Sequence, residues 1–168
     1  MRLASGSVAA VLGVMAVAGC TLEPRTDRDG PQADQTPPRK QVVEVPGVAR
    51  LPVFSSGIRS GDFVFLSGAI GALPGVSPPT LVEGGIGPET RVAMENLRTI
   101  LEAAGGTMAD IVKCTVFLAD MSDYAGMNEV YLEFFPSDPP ARSALAASGL
   151  AFDARVEIEC IAAAPEGS

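Results

Sequence analysis

Histidine is absent from all 168 residues, which removes at once the usual general base and the commonest metal ligand. Cysteine is scarce: the three present have no CxxC spacing, so zinc-site and thioredoxin-type chemistry have no signature here. Positive charge is also short, with 12 basic against 20 acidic residues and a net charge of −8. An acidic body repels phosphate backbones, so no nucleic-acid partner is expected. No classical nucleophile set is present either. The serines lack a histidine, the carboxylates are scattered, and Gly84-Gly85-Ile86-Gly87-Pro88 reads as a turn before a helix rather than a phosphate loop.

What is present begins with an export signal. Arg2 precedes the apolar run Val8–Val17, which is too short to span a bilayer comfortably. The run ends in Val17-Ala18-Gly19-Cys20, which reads as a lipobox: small residues before the cleavage point and a cysteine that accepts the lipid. The expectation is a signal peptide over 1–19, a lipidated Cys20 opening a polar, proline-bearing tether over 20–40, and a folded domain over 41–168. Thr21 rather than Asp follows the anchor, which favours the outer membrane in a Gram-negative host, with the acyl chains holding the protein at the cell envelope. The tether has almost no large apolar group to offset the entropy of folding. Thr21–Arg50 carries five basic and five acidic residues, so the excess negative charge belongs to the domain beyond it.

Within the domain, Gln41–Val45 is β-prone and stops at Pro46-Gly47, and Ser60-Gly61-Asp62 separates two strands as a hairpin. A glycine- and proline-rich loop leads into a helix with Pro88 and Glu89 in its first turn and Gly105-Gly106 at its end. Ala93, Leu97, Ile100, Leu101 and Ala104 share one face of it. Thr107 and Asp110 can cap a single turn before a strand over Ile111–Ala119. That strand is read as placing Val112, Cys114, Val116 and Leu118 on one side and Lys113, Thr115 and Phe117 on the other. A second helix ends at Pro136, with Tyr124, Met127, Val130, Tyr131 and Phe134 as a core stripe. Two strands follow, over Ala141–Ala147 and Arg155–Ala162. The order βββαβαββ predicts an α+β fold, one sheet with both helices on one face. Lys113, Phe117, Arg155, Glu157 and Glu159 are left on the bare face, which reads as a subunit interface. Cys114 and Cys160 fall on the covered face and read as small core hydrophobes. A bridge between them requires their strands to be neighbours, which the spacing leaves open.

What suggests chemistry is Pro139-Pro140-Ala141-Arg142-Ser143, with an arginine opening one strand, followed by Val156-Glu157-Ile158-Glu159, with a carboxylate within the next. A guanidinium fork matches a carboxylate, and a glutamate can deprotonate water. A structural salt bridge explains the same two residues.

A wider set of segments shifts the preference towards an active site. These are Phe54-Ser55-Ser56-Gly57-Ile58-Arg59-Ser60-Gly61-Asp62, Leu66-Ser67-Gly68, Asn96-Leu97, Leu101-Glu102-Ala103-Ala104-Gly105 and Asp110-Ile111-Val112-Lys113. Further along come Asn128-Glu129-Val130-Tyr131, Pro140-Ala141-Arg142-Ser143 and Val156-Glu157-Ile158-Glu159. In this order, from about Pro52 to Ala163, the chain resembles the RidA/YjgF family, whose typical members hydrolyse reactive enamines and imines.

The resemblance implies a chorismate-mutase-like fold and a homotrimer with clefts between subunits. It implies that Arg142 grips a substrate carboxylate and Glu157 positions the attacking water, with Phe54, Ser67, Gly68, Asn128 and the backbone at Ala144 lining the pocket. No metal or organic cofactor is implied, because an imine is already an activated electrophile. Phe54 stands where many members have tyrosine, Ala144 where some have cysteine and Ala69 where glutamine is common. The expected reaction is hydrolysis of 2-imino acids to 2-oxo acids and ammonia. The alternative is a non-catalytic trimer that binds a small carboxylate or unfolded protein. A ribonuclease, sometimes claimed for the family, is disfavoured by the charge.

Overall fold

The computed structural model describes residues 40–46 and 52–164. The signal peptide, Cys20 and the tether up to residue 39 lie outside the described residues. Six strands and two helices follow in the expected order: β1 (Gln41–Val42), β2 (Gly57–Ser60), β3 (Phe63–Ile70), α1 (Ile86–Ala103), β4 (Ile111–Leu118), α2 (Tyr124–Phe134), β5 (Ala141–Ala146) and β6 (Val156–Ala163). They form one sheet in the order β1-β2-β3-β6-β4-β5. All pairs are antiparallel except β4 with β5. Two helical crossovers, β3–α1–β4 and β4–α2–β5, step the same way across the sheet. Right-handed crossovers that step one way put both helices on one face, and α1 packs on β3, β6 and α2.

Local chemistry fixes the elements. The β2–β3 hairpin closes with Ser60 opposite Phe63, and Gly61 takes a φ of 56° in the two-residue turn. α1 ends in a Schellman motif: Gly105 N–H donates to the Glu102 carbonyl and Gly106 N–H to the Leu101 carbonyl, both at 2.9 Å, with Gly105 at φ 83°. Leu97 and Leu101 of α1 and Met127, Tyr131 and Phe134 of α2 bury against Val64 and Leu66, Val116 and Leu118, and Val156 and Ile158 of the sheet.

Four expectations need correction. β1 stops at Val42; Val43 and Val45 are buried beyond it. Val112 is not a core residue: the ladder slips between Ile111 and Lys113, so Ile111 enters the core and Val112 is left 45% exposed. A bulge inserts a residue that strict alternation cannot anticipate. Arg155 precedes β6 and is not part of the bare face. Its guanidinium pairs with the buried Asp123 at 3.0 Å (Nε) and 2.7 Å (Nη2), and its backbone N–H donates to Glu89 Oε2 at 2.9 Å. One arginine thus ties together the starts of α1, α2 and β6. Finally, Cys114 and Cys160 sit directly opposite each other on β4 and β6, with Cα atoms 4.1 Å apart, and form a disulfide in the core.

The uncovered face is more apolar than the sequence reading allowed. By strand register Phe65 lies between Ile58 and Ile161, and Leu145 beside Phe117. Phe63 and Phe65 are 46% and 44% exposed. The Glu157 and Glu159 carboxylates share this face with Lys113, whose Nζ donates to Ser143 Oγ at 2.8 Å.

The disulfide closes a loop between positions 46 residues apart, so its loss should cost about 4 kcal/mol by the loop-entropy relation. Chemical denaturation of oxidised and reduced domain should differ by that order. Iodoacetamide should label Cys114 and Cys160 only after denaturing reduction; labelling of both in native, unreduced protein would exclude the bridge.

Candidate active site

Two clusters emerge, one on each side of the sheet. On the helix side, Arg142 stands beside Cys114 in the β4–β5 register and projects towards α2. Its guanidinium carbon lies 4.7 Å from the Tyr131 ring centre and 5.7 Å from that of Tyr124. Nη2 donates to Tyr124 Oη at 3.2 Å, and Nη1 approaches Met127 Sδ at 3.9 Å. Asn128 follows one turn after Tyr124 on the same face of α2. Arg142 has no carboxylate partner among the described residues. Its fork is therefore braced by neutral groups, with donors left over for an anion. Ala144, two residues along β5, partners Val116 and packs on the core. Among the described residues β5 is an edge strand paired only with β4, which leaves the backbone along its other edge open to a ligand.

On the uncovered face, Glu157 stands across from Phe117 on β4 and Ile70 on β3. β3 bulges here: Ser67 and Gly68 together oppose Glu159, between the pairs Leu66–Cys160 and Ala69–Ile158. A Cβ added at Gly68 would collide with Glu157 Oε1, so glycine is what lets this carboxylate lie against β3. Ser67 Oγ donates to the Ser55 carbonyl at 2.7 Å and Ser67 N–H to the Ser56 carbonyl at 2.9 Å. These bonds hold the loop that carries Phe54, whose ring is half exposed.

The expected residues thus fall into two groups: Arg142, Asn128 and Ala144 on one side, and Glu157 on the other against the Ser67-Gly68 bulge, to which the loop carrying Phe54 is tied. One chain does not bring Arg142 and Glu157 together, and they form no salt bridge within it. Tyr131, expected in the core stripe, is buried there and also covers the arginine, whereas Tyr124, expected in the same stripe, is 38% exposed at the arginine's edge. The signal was their helical spacing with Met127 and Asn128, four side chains on one face of α2, two of them carrying hydroxyls.

The tyrosines differ electrostatically. The Asn128 hydrogen bond, then the Arg142 charge and hydrogen bond, hold the Tyr124 hydroxyl below its ordinary value. Burial pushes Tyr131 up to about 12 against the opposing Arg142 charge, and its hydroxyl is buried with no hydrogen-bond partner among the described residues.

The family model described as Endoribonuclease L-PSP matches residues 34–164. The 2-iminobutanoate/2-iminopropanoate deaminase of Mus musculus is 38% identical over 124 residues, 74% of this chain and 90% of that protein. The chloroplastic Reactive Intermediate Deaminase A of Arabidopsis thaliana is 34% identical over 160 residues, 92% of this chain and 84% of that protein. The crystal structure of E. coli TdcF with bound serine superimposes with a TM-score of 0.67 at 32% identity, covering 73% of this chain and 98% of that one.

The chain has two tyrosines and no tryptophan, which makes phenolate absorbance at 295 nm easy to read. Titration should show two steps, one below pH 10 and one near pH 12, and Tyr131→Phe should remove the upper one. Because the folded Tyr131 value is raised, its contribution to stability is complete below the unfolded value. It is lost as pH climbs from about 10 towards about 12, and a single unresolved step would refute this assignment.

Proposed function

The chain belongs to the Endoribonuclease L-PSP, or RidA/YjgF, family, and from that premise we propose that it hydrolyses 2-imino acids to 2-oxo acids and ammonia as a homotrimer. The observation that carries the proposal is an arginine braced by two tyrosines without a carboxylate of its own, on the opposite side of the sheet from Glu157. Each half of the site is ordered and neither suffices alone. A second copy, seated by its uncovered face against the β5 edge of the first, would set its Glu157 beside Arg142. Six apolar side chains on that face, namely Ile58, Phe63, Phe65, Phe117, Leu145 and Ile161, support such burial. A heterologous contact of this kind closes into a ring where its rotation allows, and the family resemblance supports a ring of three.

In the proposed reaction the Arg142 fork takes the substrate carboxylate. Glu157 accepts a proton from water as the water oxygen bonds to the imine carbon, and the C=N electron pair moves onto nitrogen. The proton passes to that nitrogen to give the carbinolamine, Glu157 then carries the hydroxyl proton to the same nitrogen, and the C–N bond breaks as the C=O bond forms, releasing ammonia and the 2-oxo acid. Imines hydrolyse readily, so placing the reactants supplies most of what is needed.

We also propose that the protein is exported and lipid-anchored through Cys20. Cys20→Ala should abolish labelling by a clickable palmitate analogue; retained labelling would exclude the lipobox.

Sedimentation of the chain from Gln41 should give three times the monomer mass, and a monomer at micromolar concentration would overturn the shared site. Arg142→Lys should chiefly raise KM, whereas Glu157→Gln should lower turnover by a factor on the order of 10²–10⁴. Arg142→Ala and Glu157→Ala chains should each be inactive. Mixed by co-refolding, they should regain activity at about a quarter of sites, those pairing the intact arginine of one chain with the intact glutamate of the next. Turnover is followed with 2-iminobutanoate generated in situ and trapped by semicarbazide. A wild type that leaves the semicarbazone signal unchanged for small and bulky imino acids alike would refute the deaminase reading.

A further inference from the structure

We propose that the Tyr124 hydroxyl is a specificity-determining contact for the substrate carboxylate, supplied from α2 beside Arg142. The inference rests on the preceding reading in one respect only, that Arg142 receives a carboxylate. Phe54 contributes a half-exposed ring with no hydroxyl, so the other half of the cleft brings no phenol. On the arginine side a phenol is already in place, its oxygen 3.2 Å from Nη2.

The geometry favours a ligand contact over simple packing. Tyr131 covers the guanidinium with its centroid at 4.7 Å, so an anion must approach the edge of the fork rather than that face. Tyr124 Oη lies on that edge, where it accepts from Nη2 and keeps its own proton to donate. A carboxylate oxygen taken by the remaining Nη2 hydrogen comes within reach of that O–H. The two donors then grip one anion from different elements, β5 and α2. Tyr131 cannot play this part, because its hydroxyl is buried, whereas Tyr124 is 38% exposed.

The test uses the full-length protein with 2-oxobutanoate as a stable carboxylate probe, comparing wild type with Tyr124→Phe. The variant keeps the ring and should unfold at the same temperature. It should bind 2-oxobutanoate about tenfold more weakly, as expected for one lost hydrogen bond to a charged group, and raise KM for the imino acid with little change in kcat. In the wild type, bound 2-oxobutanoate should move the lower phenolate step at 295 nm to higher pH, because the carboxylate holds the phenolic proton. An unchanged dissociation constant in Tyr124→Phe overturns the proposal while leaving deaminase activity standing. If the wild type binds the acid, shows no turnover, and loses affinity in Tyr124→Phe, the deaminase reading fails and this contact survives. A wild type that does not bind 2-oxobutanoate overturns the contact outright.

Discussion

Strand β6 is hydrogen-bonded to β3 on one side and to β4 on the other, and its alternation decides what each face of the sheet becomes. Val156, Ile158, Cys160 and Ala162 are buried under the helices, while Glu157 and Glu159 project the other way. A slip of one residue would bury both carboxylates without partners and expose four core side chains, a cost no nearby contact could offset. The knot formed by Arg155, Asp123 and Glu89 opposes that slip. It pins the start of β6 to both helices, with both of its carboxylates buried and hydrogen-bonded. Register and helix placement are therefore one constraint.

That constraint also separates Arg142 from Glu157. β5 joins β4 in parallel, with Arg142 in step with Cys114, so the arginine shares the buried face of the disulfide while Glu157 shares the open face of Phe117. No side-chain rotation carries either through the sheet. A cleft that used both residues would have to be assembled from two chains, and the proposed trimer would give the apolar open face a partner. An exposed stripe of phenylalanines is a liability in a monomer and an asset when each copy covers its neighbour's.

Much of this was legible in the chain. The element order, the hairpin at Gly61, the Gly105-Gly106 stop and the alternation of β6 are local signals, and they hold in the structure because local preference and tertiary packing agree there. What escaped was non-local. The bulge at Val112 and the bulge at Ser67-Gly68 arise from pairing across strands, which single-strand periodicity cannot see. Arg155 was assigned to the open face by counting alternate residues back from Glu157. Its true position follows from Asp123 and Glu89, 32 and 66 residues away in sequence. Phe63 and Phe65 were passed over as a face because their significance depends on Ile161 and Ile58 lying beside them. For the site, the family motifs picked out Arg142 and Glu157 but not their separation, and Tyr124 was hidden in a stripe that looked like core.

The disulfide bears on where such a protein operates. Strand neighbourhood, not cysteine spacing, makes Cys114 and Cys160 a pair, and both sulfurs are sealed beneath the helices. A bridge of this kind forms as the strands come together and is then shielded from thiols until the domain opens. Disulfides persist in oxidising compartments and are rare where glutathione and thioredoxin keep thiols reduced. The apolar run ending in Val17-Ala18-Gly19-Cys20 was read as an export signal from different residues and for different reasons. A core bridge and an export signal need not occur together in one chain. Their coincidence supports the proposal that this deaminase-like domain works outside the reducing cytoplasm, where bracing the β4–β6 pair also fixes the strands on which Glu157 and, through β5, Arg142 depend.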